Sequence, residues 1–336
     1  MPTAILGDRA AGKTTFIGLL YAAQIRFTND PANKDVFRFY ADPTALSIIR
    51  KLYENLKTSA WPDGTTKGQK SMLRFTFGYE KMLHGAVLPQ WMRERDWIHP
   101  FATINFNVYD VAGEDIQDMT KTPDGVQSKK LTDIAKSLLE SRVLVMLIDT
   151  SKITEDCDSD EYRSMLEYDG IMATLISMIA QYNSEKPDPK ERKIYPVIVF
   201  TKFDTLFQDE NAVMIKDMEI PKDIKTYADL NNSNIRRDYC EKILRNFFGQ
   251  TLALLKGGKL MNVSFDRTEY FFSYVNTKFG KDGKAVPNQR KILDGAGHEI
   301  DFSYDEYARF IMHFKKIANE MPDGIREREE ITVTEQ

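Results

Sequence analysis

Apolar residues gather in four short β-rich runs: TAIL (3 to 6), ATINFNVYD (102 to 110), RVLVMLID (142 to 149) and IYPVIVF (194 to 200). Periodicity alone does not separate such runs from helix, but their length, β-branching and the loop signals after them predict buried parallel strands. Helical patterns lie between them. TTFIGLLYAAQI follows the first run, TDIAKSLLES precedes the third and MLEYDGIMATLISMIAQY precedes the fourth, with apolar residues three and four apart. Strand and helix in alternation predict a doubly wound α/β sheet.

Two further elements complete the pattern. RTEYFFSYVNT (267 to 277) predicts a last strand, and SYDEYARFIMHFKKIANEM (303 to 321) a closing helix with Tyr304, Tyr307, Ile311, Phe314, Ile317 and Ala318 on one face. Ser303 and Glu306 spell the S-x-x-E capping box, in which each side chain satisfies a free backbone N–H. Pro322 marks a stop. The alternation in SMLRFTFGYE (71 to 80) predicts an antiparallel edge strand hairpinned to ATINFNVYD.

The insertion of that hairpin, 81 to 100, carries Trp91 and Trp97, which either pack onto the domain or form a partner surface. Segments 26 to 64, 205 to 235 and 278 to 302 also exceed what a minimal α/β domain needs, and loops of this length are functional or hold small elements of their own. Leu46, Ile49, Leu52 and Leu56 fall at helical spacing, so the first of these insertions is expected to be helical. The organisation expected is a single domain over 1 to 321 followed by a polar tail, 322 to 336.

With 336 residues, 42% of them hydrophobic, the chain can bury a substantial core. The net charge of −4, with both signs interspersed, argues against bulk nucleic-acid binding. Two cysteines, Cys157 and Cys240, give neither a disulfide framework nor CxxC metal spacing, and the four histidines form no HxxxH or HExxH pattern. Reduced thiols and a cytoplasmic setting are the expectation. The N-terminus lacks the features of a signal peptide, the apolar runs are far shorter than the roughly 20 residues that span a bilayer, and no lipidation motif is present. Direct membrane insertion is therefore not expected.

The chemistry begins at GDRAAGKT. Gly7, Gly12, Lys13 and Thr14 satisfy G-x-x-x-x-G-K-[ST], with a strand expected before and a helix after. Glycines in this pattern let backbone N–H groups turn inward around phosphates, and the helix N-terminus adds its positive end. Lys13 is expected to reach the β- and γ-phosphates and the Thr14 hydroxyl to ligate magnesium, while Asp8, Ala10, Ala11 and Thr15 complete the contacts. A phosphate loop does not by itself choose between ATP and GTP.

Asp110 ends a strand and opens DVAG, placing a carboxylate at the sheet edge where it can hold magnesium, usually through water. Gly113 would let its backbone N–H approach the γ-phosphate. The last of the four runs ends in TKFD, Thr201 to Asp204. Asp204 can accept from both N1–H and the exocyclic amine of guanine, whereas adenine offers no matching pair of donors. The Lys202 stem would lie over the purine, and Thr201 would tie this loop to the phosphate loop.

With these three motifs in order, the chain resembles the Ras-like, translation-factor class of phosphate-loop GTPases, over residues 1 to about 204 and more loosely 267 to 321. The resemblance implies a mostly parallel six-stranded sheet with one antiparallel edge strand, helices on both faces, GTP or GDP with magnesium as ligands, and a protein effector or activator as partner. It makes Asp110 and Gly113 the switch II anchor and Lys202 and Asp204 the guanine readers, and puts the loop over the base at Ser273, Tyr274 and Val275, where Tyr274 replaces a small residue. It places the switch I threonine, a magnesium ligand, at Thr65 or Thr66, with Thr66 preferred. The pair WPDGT and DVAGE also looks similar to the double-GTPase families associated with prokaryotic conflict systems.

In that class a glutamine follows the switch II glycine and orients water; here Glu114 stands in its place, either positioning water or solvated. Arg9, inside the phosphate loop, either supplies a catalytic cation alongside Lys13 or points to solvent, and Lys67 is a second candidate. Slow hydrolysis is expected. The competing readings are an ATP-binding phosphate-loop protein and a GTP-binding scaffold that has lost hydrolysis.

Overall fold

A computed structural model describes residues 3–8, 10–29, 37–41, 43–62, 71–80, 101–110, 138–153, 155, 158–184, 192–206, 227–260, 263–281, 283–291 and 298–320, with backbone only for 37–41, 45, 71–80, 101–110, 192, 259, 318 and 319. In chain order the strands are β1 (Thr3–Gly7), β2 (Phe37–Ala41), β3 (Ser71–Glu80), β4 (Phe101–Asp110), β5 (Val143–Asp149), β6 (Arg192–Thr201), β7 (Lys259–Leu260), β8 (Val263–Phe265), β9 (Glu269–Ser273), β10 (Thr277–Phe279), β11 (Ala285–Pro287), β12 (Gln289–Lys291) and β13 (His298–Ile300). The helices are α1 (Lys13–Asn29), α2 (Pro43–Lys57), α3 (Asp160–Ser184), α4 (Ser233–Phe247), α5 (Gly249–Lys256) and α6 (Tyr304–Glu320). None of the described helices is long and apolar enough to cross a membrane.

The fold is α/β, built on a mostly parallel sheet. β1 runs parallel to β5 (Thr3↔Val143 to Gly7↔Leu147), β5 to β6 (Val143↔Tyr195 to Asp149↔Thr201), and β6 to β9 (Val197↔Glu269 to Thr201↔Ser273). This register puts Gly7, Asp149, Thr201 and Ser273 at the same carboxyl edge, so the loops that follow them leave together. Both sheet faces are covered, which is why these strands read as continuous apolar runs instead of alternating ones. Leu6, Met146, Ile198 and Phe272 face α3, α4 and α5; Ile5, Val145, Val199 and Phe271 face α1, α2 and α6.

The structure departs from the sequence reading at the sheet's margins. β3 and β4 form the expected antiparallel hairpin, Ser71↔Asp110 to Glu80↔Phe101, with β4 lying beside β1, but β2 joins the hairpin as a third strand. The antiparallel pair of the six-stranded sheet is instead β7 with β8, beside β6. Side-chain alternation reports which face of a strand is buried, but not which neighbour accepts its hydrogen bonds. The first insertion contains α2, as expected, but also β2; the last contains the ribbons β10–β11 and β12–β13.

The capping box is also overturned. Ser303 Oγ accepts from the Tyr274 N–H at 3.1 Å, and the Glu306 carboxylate turns into the core. There it accepts from Arg236 through both oxygens at 2.7 Å and from the Phe272 N–H at 3.1 Å. Arg236 also donates to Tyr270 O (3.1 Å) and Leu230 O (2.7 Å), and Arg237 to Thr268 O (3.0 Å). These side chains together occupy outward-facing backbone groups of the β9 edge and of the residue before it, at positions 268, 270 and 272. The edge is thus closed to another strand by charged side chains.

Candidate functional site

The turn after β1 is set by local geometry. Gly12 has φ 77° and Ala10 φ 60°, both in the left-handed region, and the Ala11 N–H closes back on Asp8 O at 3.1 Å. A Cβ at Gly7 would lie 3.1 Å from Leu147 Cβ and 3.2 Å from Lys13 Cγ, so no larger residue fits without displacement. Lys13 opens α1, is buried, and donates to Gly7 O at 2.6 Å and Asp8 O at 2.9 Å. Its ammonium therefore bridges the loop from inside. A tight cradle of backbone N–H groups with a buried ammonium and a helix N-terminus suits a phosphate group. The Asp8 carboxylate accepts from Lys152 at 2.5 Å and from Ser164 Oγ at 2.8 Å.

TKFD is joined to this loop directly. Thr201 Oγ donates to Ala11 O at 2.9 Å, the tie expected from the sequence. Lys202 adopts a left-handed φ of 53°, a conformation that costs on the order of 1 kcal/mol for a non-glycine residue. Its carbonyl is held there by Thr150 Oγ (2.8 Å), Thr205 Oγ (2.8 Å) and the Thr205 N–H (3.0 Å). The Lys202 ammonium pairs with the buried Asp149 carboxylate at 2.6 Å. Phe203 points the other way and stacks on Phe272 with ring centroids 4.0 Å apart. That buried stack fixes the turn carrying Asp204 to the strand carrying Ser273.

The loop after β9 is equally constrained. Ser273 Oγ and Tyr307 OH are 2.6 Å apart, and the Tyr274 backbone is held by Ser303. The Tyr274 ring packs edge-on against Tyr227 at 5.7 Å. Burial, and then the negative charges of Glu306, Asp301 and Asp204, push its phenol pKa up, so it keeps its proton at neutral pH.

All three segments line one cavity of about 270 Å³, with Ala10, Gly12 and Thr15 from the first, Thr201, Lys202, Asp204 and Thr205 from the second, and Ser273, Tyr274, Val275 and Thr277 from the third. Leu19 and Trp61 complete the wall. Sequence reasoning placed Trp61 beside the presumed switch I threonine without a role, and did not assign one to Asp149, Thr150 or Lys152. For Asp149 and Thr150 a signal existed, a carboxylate and hydroxyl at a strand's carboxyl end; for Trp61 none did. Arg9, Thr65, Thr66, Lys67, Gly113 and Glu114 lie outside the described residues, as do the 81 to 100 insertion and the 322 to 336 tail; Asp110 ends β4, with its side chain undescribed. No protein-family model and no curated protein matches the chain.

Proposed function

We propose that the chain is a magnesium-dependent guanine-nucleotide switch of the Ras-like phosphate-loop kind, hydrolysing GTP slowly and engaging a protein partner. The observation that carries this reading is the convergence of the GDRAAGKT, TKFD and Ser273–Tyr274 segments on a single cavity. The phosphates fit the loop bridged by Lys13, with Gly7, Ala10, Ala11, Gly12, Thr14 and Thr15 around them. Asp204, fixed in place by the Phe203–Phe272 stack, accepts from the base edge that distinguishes guanine. Lys202 is held by Asp149 with its methylene stem available to the purine face.

Thr14, Asp110 and Thr66 are the side chains that would hold magnesium, which when bound supplies charge neutralisation between the phosphates. Glu114 would position water and Arg9 add positive charge beside Lys13, so turnover without an activator is expected to be slower than about 1 s⁻¹. Single-turnover GTP hydrolysis compared across wild type, Glu114→Gln, Glu114→Ala and Arg9→Ala tests these assignments. A rate that falls with Glu114→Ala supports water positioning; unchanged rates in all three variants remove both residues from the mechanism.

A further inference from the structure

The chain between Ser273 and α6 makes two ribbons, and they reach across the cavity to the segment leaving α2. That helix ends in a turn in which the Ala60 N–H bonds Asn55 O at 2.8 Å and the Ser59 N–H bonds Leu56 O at 3.2 Å, with Ser59 at φ 61°. Such an ending commonly uses glycine at the left-handed position, and helix termini leave carbonyls in need of outside donors. Gln289, at the start of β12, supplies the donor: its Nε2 bonds Lys57 O and also Ser59 Oγ at 3.2 Å. Two residues beyond Ser59, Trp61 Nε1 donates to Ala285 O of β11 at 2.8 Å.

The ribbons are in turn locked to the base-side loop. Asn276 N–H donates to Asp301 O (2.9 Å), Asn288 N–H to Asn276 O (2.7 Å) and Asp301 N–H to Asn288 O (3.0 Å). Trp61, 42% exposed, and Thr277 line the same cavity, so both ends of this connection border the space assigned to the nucleotide.

We propose that the β10–β13 excursion is a latch on the nucleotide pocket: Gln289 and Ala285 hold the α2 exit and Trp61 against the base-side loop, and Trp61 and Gln289 are positioning residues that set how long the nucleotide stays. The proposal rests on the guanine-nucleotide reading. Opening the pocket mouth requires Trp61 to leave Ala285 and the α2 exit to leave Gln289, so each lost bond shortens the bound lifetime without altering which base is selected.

The test is release of fluorescent mant-GDP, chased with excess GDP, from purified full-length variants whose circular dichroism matches wild type. Trp61→Phe keeps a ring but loses the donor; Gln289→Ala removes the clamp on α2 and does not itself line the cavity. Each is expected to release nucleotide about three- to tenfold faster, the range a single hydrogen bond supports. The double variant should accelerate release by less than the product of the two, because both act on one latch. Leu166→Ala, a change at an exposed side chain on α3 away from these ribbons, should release at the wild-type rate. Preference for GTP over ATP should be unchanged in all of them. Wild-type release rates in both single variants, or independent effects in the double, overturn the latch while leaving the guanine-nucleotide reading in place. A wild-type protein that holds no mant-GDP removes the reading on which the latch depends.

Discussion

Replacing Arg236 by alanine is expected to destabilise the protein by about 3–5 kcal/mol, the usual consequence of stranding one member of a buried ion pair. Arg236 and Glu306 are 6% and 3% exposed, and the guanidinium meets both carboxylate oxygens at 2.7 Å. The same guanidinium stacks 4.7 Å from the Phe272 ring centroid and satisfies the carbonyls of Leu230 and Tyr270. Without it, the buried carboxylate loses its bidentate partner, keeping the Phe272 N–H and the more distant Arg309 at 3.6 Å, two carbonyls lose this donor, and the β9 edge opens just before the Ser273–Tyr274 loop. Urea denaturation followed by circular dichroism should show a lower midpoint with an unchanged slope. The double change Arg236→Met with Glu306→Leu should recover only part of the loss. It removes the stranded charge but leaves the Phe272 N–H and the two carbonyls unpartnered. A loss below about 1 kcal/mol for Arg236→Ala would mean that solvent reaches this pair and that it does not hold the edge strand.

Asp204→Ala is expected to abolish the preference for GTP over ATP, lowering GTP affinity about 100-fold or more while barely changing the weak binding of ATP. The size follows from losing two hydrogen bonds to a charged acceptor, each worth about 1.5–3 kcal/mol. A site built around such an acceptor discriminates sharply because the wrong ligand leaves it unpaired. The carboxylate stands in the turn Phe203–Leu206, held from behind by Phe203 against Phe272 and from the side by Lys202 O with Thr150 and Thr205. Because Asp204 itself is only half-buried, the alanine variant should fold normally, and the effect should be confined to selectivity. Competition of GTP and ATP against mant-GDP measures it, and equal affinities for GTP in wild type and variant would take Asp204 out of base recognition.

How much of this was legible in the chain follows from the range over which each feature is determined. β1, β5, β6 and β9 were visible because burial on both faces writes an unbroken apolar run. The short strand FRFYA was not assigned, since five residues inside a long insertion give periodicity little to work with. The turn at Gly7 and Gly12 was readable because glycine spacing writes it within a few residues, and the tie from Thr201 to Ala11, 190 residues away, because both lie at strand ends on one sheet edge. Asp149 was readable in principle from its place at the end of β5, but its partner Lys202 lies 53 residues away. Trp61 meets Ala285 across 224 residues, a contact no local pattern encodes. Ser303 and Glu306 show the opposite failure: the local motif is genuine, yet the buried Arg236 and the Tyr274 backbone are stronger competitors than a solvated helix end.

The central claim is that the cavity selects guanine nucleotide, and its most direct measurement is the identity and stoichiometry of the nucleotide released by denaturing the purified, undialysed protein, separated by ion-exchange chromatography. Guanine nucleotide approaching one equivalent in wild type, and little or none in Asp204→Ala, is the predicted result. Adenine nucleotide in wild type, retained at the same level in Asp204→Ala, would contradict it.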